Sequence, residues 1–170
     1  ANGVWQSPNI ILKNNIKNWL KEKRLIGDWI DIVDARVVNF QVYFKILADK
    51  RNKQKVLVDC LTTLRDYFNV NNWQINQPIF IANVSTILQE IDGVVNVVDL
   101  KFYNIFDKDI ESGKVYSPKE LGRYRNNKTI ALNAYNNKYE MENVNNVILS
   151  YPDTLLNVRY PELDIIGAVV

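Results

Sequence analysis

Cys60 is the only cysteine, and no histidine occurs anywhere in the 170 residues to activate it. A thiol without a neighbouring base reads as a small core or core-edge side chain rather than a nucleophile. The same lack of histidine removes the commonest general base and a common metal ligand. Among the carboxylates, Asp28, Asp31 and Asp34 follow one another at a spacing of three, which at first suggests calcium. They lack the loop glycine and terminal glutamate of an EF-hand and read as turn or edge residues. Asp107 and Asp109 form a pair, yet nothing in the sequence sets them in a cleft. A carboxylate-based enzyme would need two acidic groups in one pocket with displaced pKa values. Lys21-Glu22-Lys23-Arg24 could touch a phosphate but reads as a solvated terminus whose cations complement the negative end of a helix dipole. Gly122-Arg123-Tyr124-Arg125-Asn126-Asn127-Lys128 interleaves arginine with tyrosine, as single-strand binders do. In a chain of net charge +2 that heptad reads as a solvated loop. No nucleophile–base pair, phosphate-binding glycine loop or CxxC is in sight, so the residues alone leave the function open.

The elements that would carry these residues follow from periodicity. Ser7-Pro8 reads as an N-cap with proline at the first helical position, and Ile11, Leu12, Ile16, Trp19 and Leu20 recur at helical spacing, so a helix is expected over 8–24. After Gly27 the period changes to two. Trp29–Val33 reads as a short strand, Asp34-Ala35 as a turn and Arg36–Ala48 as a long strand. Val38, Phe40, Val42, Phe44 and Ile46 then share a buried face, while Asn39, Gln41, Tyr43 and Lys45 share a wet or interfacial one. Helices are expected over Lys53–Phe68, with Val56, Leu57, Leu61, Leu64 and Phe68 on one side, and over Ile79–Ile91. Asp92-Gly93 follows at once, and a glycine just past a helix can turn the chain through the left-handed region directly into a strand over 94–106. In that strand Val94, Val98, Leu100 and Phe102 are expected opposite Val97, Asp99, Lys101 and Tyr103.

Beyond Asp107 the apolar periodicity fades, with short strands expected at Val147–Leu149 and Leu155–Tyr160 and an apolar terminus that docks on the domain or on a partner. The division expected is an α+β core over 1–106, a loop-rich excursion over 107–157 and a docking segment over 158–170. The fold class is α+β: two layers, a mainly antiparallel sheet with helices on one face, and an extended C-terminal region. A charge of +2 argues against nucleic acid or an anionic membrane as the main partner. No apolar run reaches the length of a membrane span, and the N-terminus lacks a signal-peptide pattern. Beginning Ala1-Asn2-Gly3 without methionine, the chain reads as a piece of something longer or as a processed or tagged form.

The order of these pieces resembles a known family. A helix leads into WIDIVDARVVNFQVYFKI, a second helix follows in KQKVLVDCLTTLRDYFNV, and Asn76-Gln77-Pro78-Ile79 opens a third that ends at Asp92-Gly93-Val94. The chain closes on Arg159-Tyr160-Pro161, Asp164-Ile165 and Gly167. This is similar to the C-terminal part of baseplate-J-like proteins, the wedge proteins of contractile phage tails, with the likeness strongest to those of T-even-like phages. It covers roughly residues 8–106 and 158–170, and the stretch 107–157 has no counterpart. The resemblance implies a structural role without catalysis, cofactor or metal, in the virion after assembly in the host cytoplasm. It also implies a homodimer and contacts to other wedge and hub-proximal subunits. Tyr43, Trp73, Tyr103, Tyr160, Ile165 and Ile166 are the candidate contact residues, with Asp92 and Gly93 as the structural turn. The alternative is a small nucleic-acid-binding module using Tyr43, Tyr103 and the Arg123–Lys128 loop, recognisable by a steep salt dependence.

Overall fold

The long alternating run Arg36–Ala48 becomes the central strand, β1, and the rest of the domain is arranged around it. A computed structural model describes residues 7–49, 52–109, 112–118 and 137–170; the Gly122–Lys128 heptad lies outside them. The other elements are α1 (Ile10–Lys21), α2 (Lys53–Tyr67), β2 (Ile79–Phe80), α3 (Ile81–Gln89), β3 (Val94–Ile105), β4 (Lys138–Glu140), β5 (Val147–Ile148), β6 (Thr154–Asn157), α4 (Pro161–Asp164) and β7 (Ile165–Val169). β3 pairs antiparallel with one side of β1 and carries β4 on its far edge. The other side of β1 is shared by β6 over Arg36–Asn39 and β7 over Val42–Ile46, both parallel to it. β2 and β5 form a separate antiparallel pair. The fold is therefore α+β with a mixed, mostly antiparallel sheet.

One face of that sheet is the core. Val38, Phe40, Val42, Phe44 and Ile46 are all buried, as their alternation predicts, beneath Val56, Cys60, Leu64 and Phe68 of α2 and its cap and Val84 and Leu88 of α3. Cys60 lies within the buried stripe of α2. Phe68 gathers Phe40, Phe102 and Trp73 around its ring, with centroids 5.3 to 6.4 Å away.

Several expectations are corrected. Helix α1 is shorter than 8–24, because the Asn9 side chain, not Ser7, caps it by accepting from the Leu12 N–H at 2.8 Å. Residues 29–33 form no strand. The position beside β1 that a hairpin partner would take is filled by β6, and Arg36 N donates to Asp153 O at 2.8 Å. In β3 the register slips twice against β1, between Lys45 and Ile46 and between Leu47 and Ala48. Each slip inserts one extra β3 residue, a bulge that reverses the faces, so Val97 packs on the core and Val98 is exposed. The second face of β1 is not wet along its whole length. Asn39 and Gln41 are buried under the 112–118 segment and α4, where Ser117 N donates to Asn39 Oδ1 at 2.7 Å and Gln41 Nε2 to Leu163 O at 3.4 Å. The apolar terminus docks on the domain, the first of the two places expected for it. The C-terminal residues return into the sheet as β6 and β7, so strands from all three expected segments share it.

Candidate functional site

Among the described residues, two surfaces and one polar hollow stand out as candidates. The first surface is the N-terminal arm, residues 7–35, which contains no buried residue. Lys13 Nζ pairs with Asp34 Oδ2 at 2.8 Å and Lys17 Nζ lies 5.6 Å from the Trp29 ring centroid, which fold the arm back on itself as a helix beside an irregular strap. These contacts use the polar side of α1. Its apolar stripe faces outward, with Leu12 49%, Ile16 41% and Trp19 62% exposed, and Leu25, Ile26, Trp29 and Val33 are exposed along the rest of the arm. An isolated 12-residue helix is marginal in water, and amphipathic helices owe most of their stability to burying that stripe. Where the arm meets the domain, Ser7, Pro8, Val33, Val37, Ile75 and Leu155 line a mostly apolar hollow of about 310 Å³.

The second surface is the upper part of the sheet's outer face. Register sets Lys45 beside Asp99, Tyr43 beside Lys101 and Ile166, and Tyr103 between Gln41 and Glu140. Tyr43 and Tyr103 are half-buried on adjacent strands, as stacking residues of a nucleic-acid platform would be. The charges around them cancel, however: Lys45 and Lys101 against Asp99 and Glu140, with Lys101 Nζ already 3.3 Å from Asp99 Oδ2. Asp99 accordingly holds the Lys101 ammonium above its usual range, and burial raises the Tyr103 phenol.

The hollow is the feature that sequence reasoning missed. Gln41, Asp109, Ser112, Tyr116, Lys138 and Asp164, with three apolar neighbours, line a volume of about 280 Å³. Burial pushes the Asp164 carboxyl up to about 6, although Tyr116 Oη donates to its Oδ1 at 2.7 Å and Tyr160 N–H donates to its Oδ2 at 2.8 Å. Burial and the same carboxylate hold the Tyr116 phenol far above its ordinary value. Asp109 is also desolvated, but the Ser112 hydroxyl and backbone N–H outweigh this and hold its carboxyl below the usual range. Two carboxyls displaced in opposite senses in one hollow meet the requirement set above for acid–base work. Their oxygens are nevertheless already engaged. Asp164 ties the 112–118 segment to the turn before β7, and Asp109 closes the 109–112 turn. A ring contact reinforces the tie, with Tyr116 edge-on to Tyr160 at 5.3 Å and Tyr160 Oη donating to Val115 O at 3.1 Å. This cluster can hold the C-terminal segment in register. Among the described residues no group of histidine, cysteine, aspartate or glutamate side chains could hold a metal ion, and the Asp28, Asp31, Asp34 series is spread along the arm.

The sequence-derived contact residues separate into two groups. Tyr43, Tyr103 and Ile166 share the outer sheet face, and Tyr160 is half-buried over Tyr116. Trp73 and Ile165 are corrected: Trp73 is buried, stacked on Phe68 at 5.6 Å, and Ile165 is buried opposite Val42, so neither offers a surface. Gly93 has φ +91°, and its carbonyl accepts from Asp49 N at 3.0 Å, with Asp92 exposed beside it. A Cβ on Gly93 would lie 2.6 Å from Val56 Cγ2, so the junction is wedged against α2 as well as β1. Asp164 was visible only as one letter of the terminal Tyr-Pro motif; its burial next to Tyr116 depends on a contact spanning 48 residues. No family model matches the chain, and no curated protein is significantly similar to it.

Proposed function

We propose that this chain is a structural component of a phage contractile-tail baseplate wedge, acting through self-association and contacts to other baseplate subunits. The observation that carries the reading is the arm: residues 7–35 form a helix and an irregular strap that bury no side chain, and nine of their large apolar residues are exposed. Such a concentration of uncovered apolar side chains in one segment favours a site for another protein. The outer sheet face adds a half-buried surface of tyrosines and balanced charges, which suits a protein partner better than a polyanion. The order of helices, junction and terminal motif that resembles baseplate-J-like wedge proteins supplies the particular assembly.

The experiment is to raise antibodies against the purified chain and label contractile-tailed particles carrying this sequence with gold. Label confined to the distal end of the tail supports the proposal. Particles that contain no such protein, or label on the capsid alone, overturn it.

A further inference from the structure

The contacts within the arm determine which side of α1 is left to a partner. Lys13 and Lys17 are engaged by Asp34 and Trp29, and with Leu20 they form the half-buried side of the helix. Leu12, Ile16 and Trp19 remain outward at the i, i+4, i+7 spacing by which a helix seats three anchors in a groove. Next to Trp19, at the C-terminal end of the stripe, stand Lys21, Lys23 and Arg24. None of them meets a carboxylate among the described residues. Lys21 Nζ reaches Asn18 Oδ1 at 3.5 Å, Lys23 Nζ lies 6.0 Å from the Trp19 centroid, and Arg24 Nη1 donates to Asp28 O at 2.9 Å.

We infer that α1 docks into an apolar groove on a second, different protein, with carboxylates on the rim beside Lys21, Lys23 and Arg24. This rests on the assembly reading above and names the chemistry of one of its partners. Charge selects the occupant. Packing α1 against the α1 of a second copy brings the two cation clusters together if the helices run parallel, and sets each against a first turn without a carboxylate if they run antiparallel, so neither arrangement pairs them. An anionic bilayer fits poorly, because the arm's five cations are accompanied by Glu22, Asp28, Asp31 and Asp34. Lysines and arginines near such a surface gain, but the aspartates of the strap would be repelled by the same field. A groove with acidic residues at one end only matches both features, the apolar anchors and the one-ended charge.

Calcium-loaded calmodulin, an acidic protein with an apolar groove that accepts basic amphipathic helices, serves as the probe. Dye-labelled calmodulin is titrated with the full chain and followed by anisotropy, alongside vesicles of phosphatidylcholine with phosphatidylglycerol and a mass measurement by light scattering. The inference expects saturable calmodulin binding, lost on calcium removal. It also expects weakening of at least tenfold by Ile16→Asp, and again by Lys21→Glu, Lys23→Glu and Arg24→Glu together. Unchanged denaturation midpoints show that these variants keep the domain folded. No binding to calmodulin overturns the inference, as does vesicle binding that Ile16→Asp abolishes. A dimer that Ile16→Asp converts to monomer overturns it too, while leaving the self-association reading intact. A monomeric wild-type chain that still binds the probe does the reverse.

Discussion

Gly93→Ala should destabilise the domain by about 2–5 kcal/mol, more than most single substitutions. Two independent terms enter. Residue 93 holds φ +91°, a conformation that costs a side-chain-bearing residue about 1–2 kcal/mol. The new Cβ would also lie 2.6 Å from Val56 Cγ2, and Val56 is buried within α2 and cannot swing aside. Overpacking of that kind costs about 1–3 kcal/mol. The two terms separate in a double-mutant cycle. Val56→Ala alone opens a small cavity at a cost of roughly 2 kcal/mol, but it also removes the atom that clashes, so the double variant should be less destabilised than the sum by about 1–3 kcal/mol. Urea denaturation followed by circular dichroism measures all four corners. A Gly93→Ala loss below 1 kcal/mol, or additivity of the pair within about 0.5 kcal/mol, would refute the reasoning that the glycine wedges α3's exit against α2.

Three further outcomes follow from the structure. The folded Asp164 carboxyl titrates near 6 against an ordinary 3.8, so the folded chain binds this proton more tightly than the unfolded one. Its stabilising contribution is therefore complete below about pH 4 and is lost as pH rises through 6. Between pH 4.5 and 7.5 the drop is on the order of 2 kcal/mol, seen in denaturant midpoints and flattened in Asp164→Asn. Asp109 works in the opposite sense, its contribution being lost only at more acid pH, below 3.8. Burial, with Asp59 beside it, pushes the Cys60 thiol up to about 11, so native protein at pH 8 should resist a thiol reagent that reacts promptly after denaturation. Ile16→Ala and Trp19→Ala should each change stability by less than about 0.5 kcal/mol, against about 3–5 kcal/mol for Phe44→Ala in the core. A loss above 1 kcal/mol in either arm variant would mean that α1 packs on its own domain in solution.

What could be read directly from the sequence was local and periodic. The alternation of Val38 to Ile46 declared both the strand and its buried face, because a period of two is set by the strand's own geometry. The 3.6-residue stripe of α2 and the glycine at 93 were legible for the same reason. What was not legible depended on distant partners. Nothing near residues 29–33 announces that β6, more than a hundred residues on, takes the place beside β1 that a hairpin would have filled. The bulges that move Val97 inward and Val98 outward arise from pairing with β1, and the β3 pattern alone cannot distinguish the two. Asn39 and Gln41 read as wet or interfacial because polar residues on a strand usually are; their burial comes from 112–118 and α4 folding over them. The α1 stripe was legible as a helix face, but a periodic stripe looks the same whether its cover comes from this chain or from another.

The most direct test of the central claim, that this chain works through its surfaces by self-association, is its mass in solution. Light scattering after size exclusion, carried from high concentration through a hundredfold dilution, gives it without reference to any partner. A dimer of the 19.8 kDa chain that persists on dilution is the expected result. A monomer at every concentration would contradict self-association by these residues.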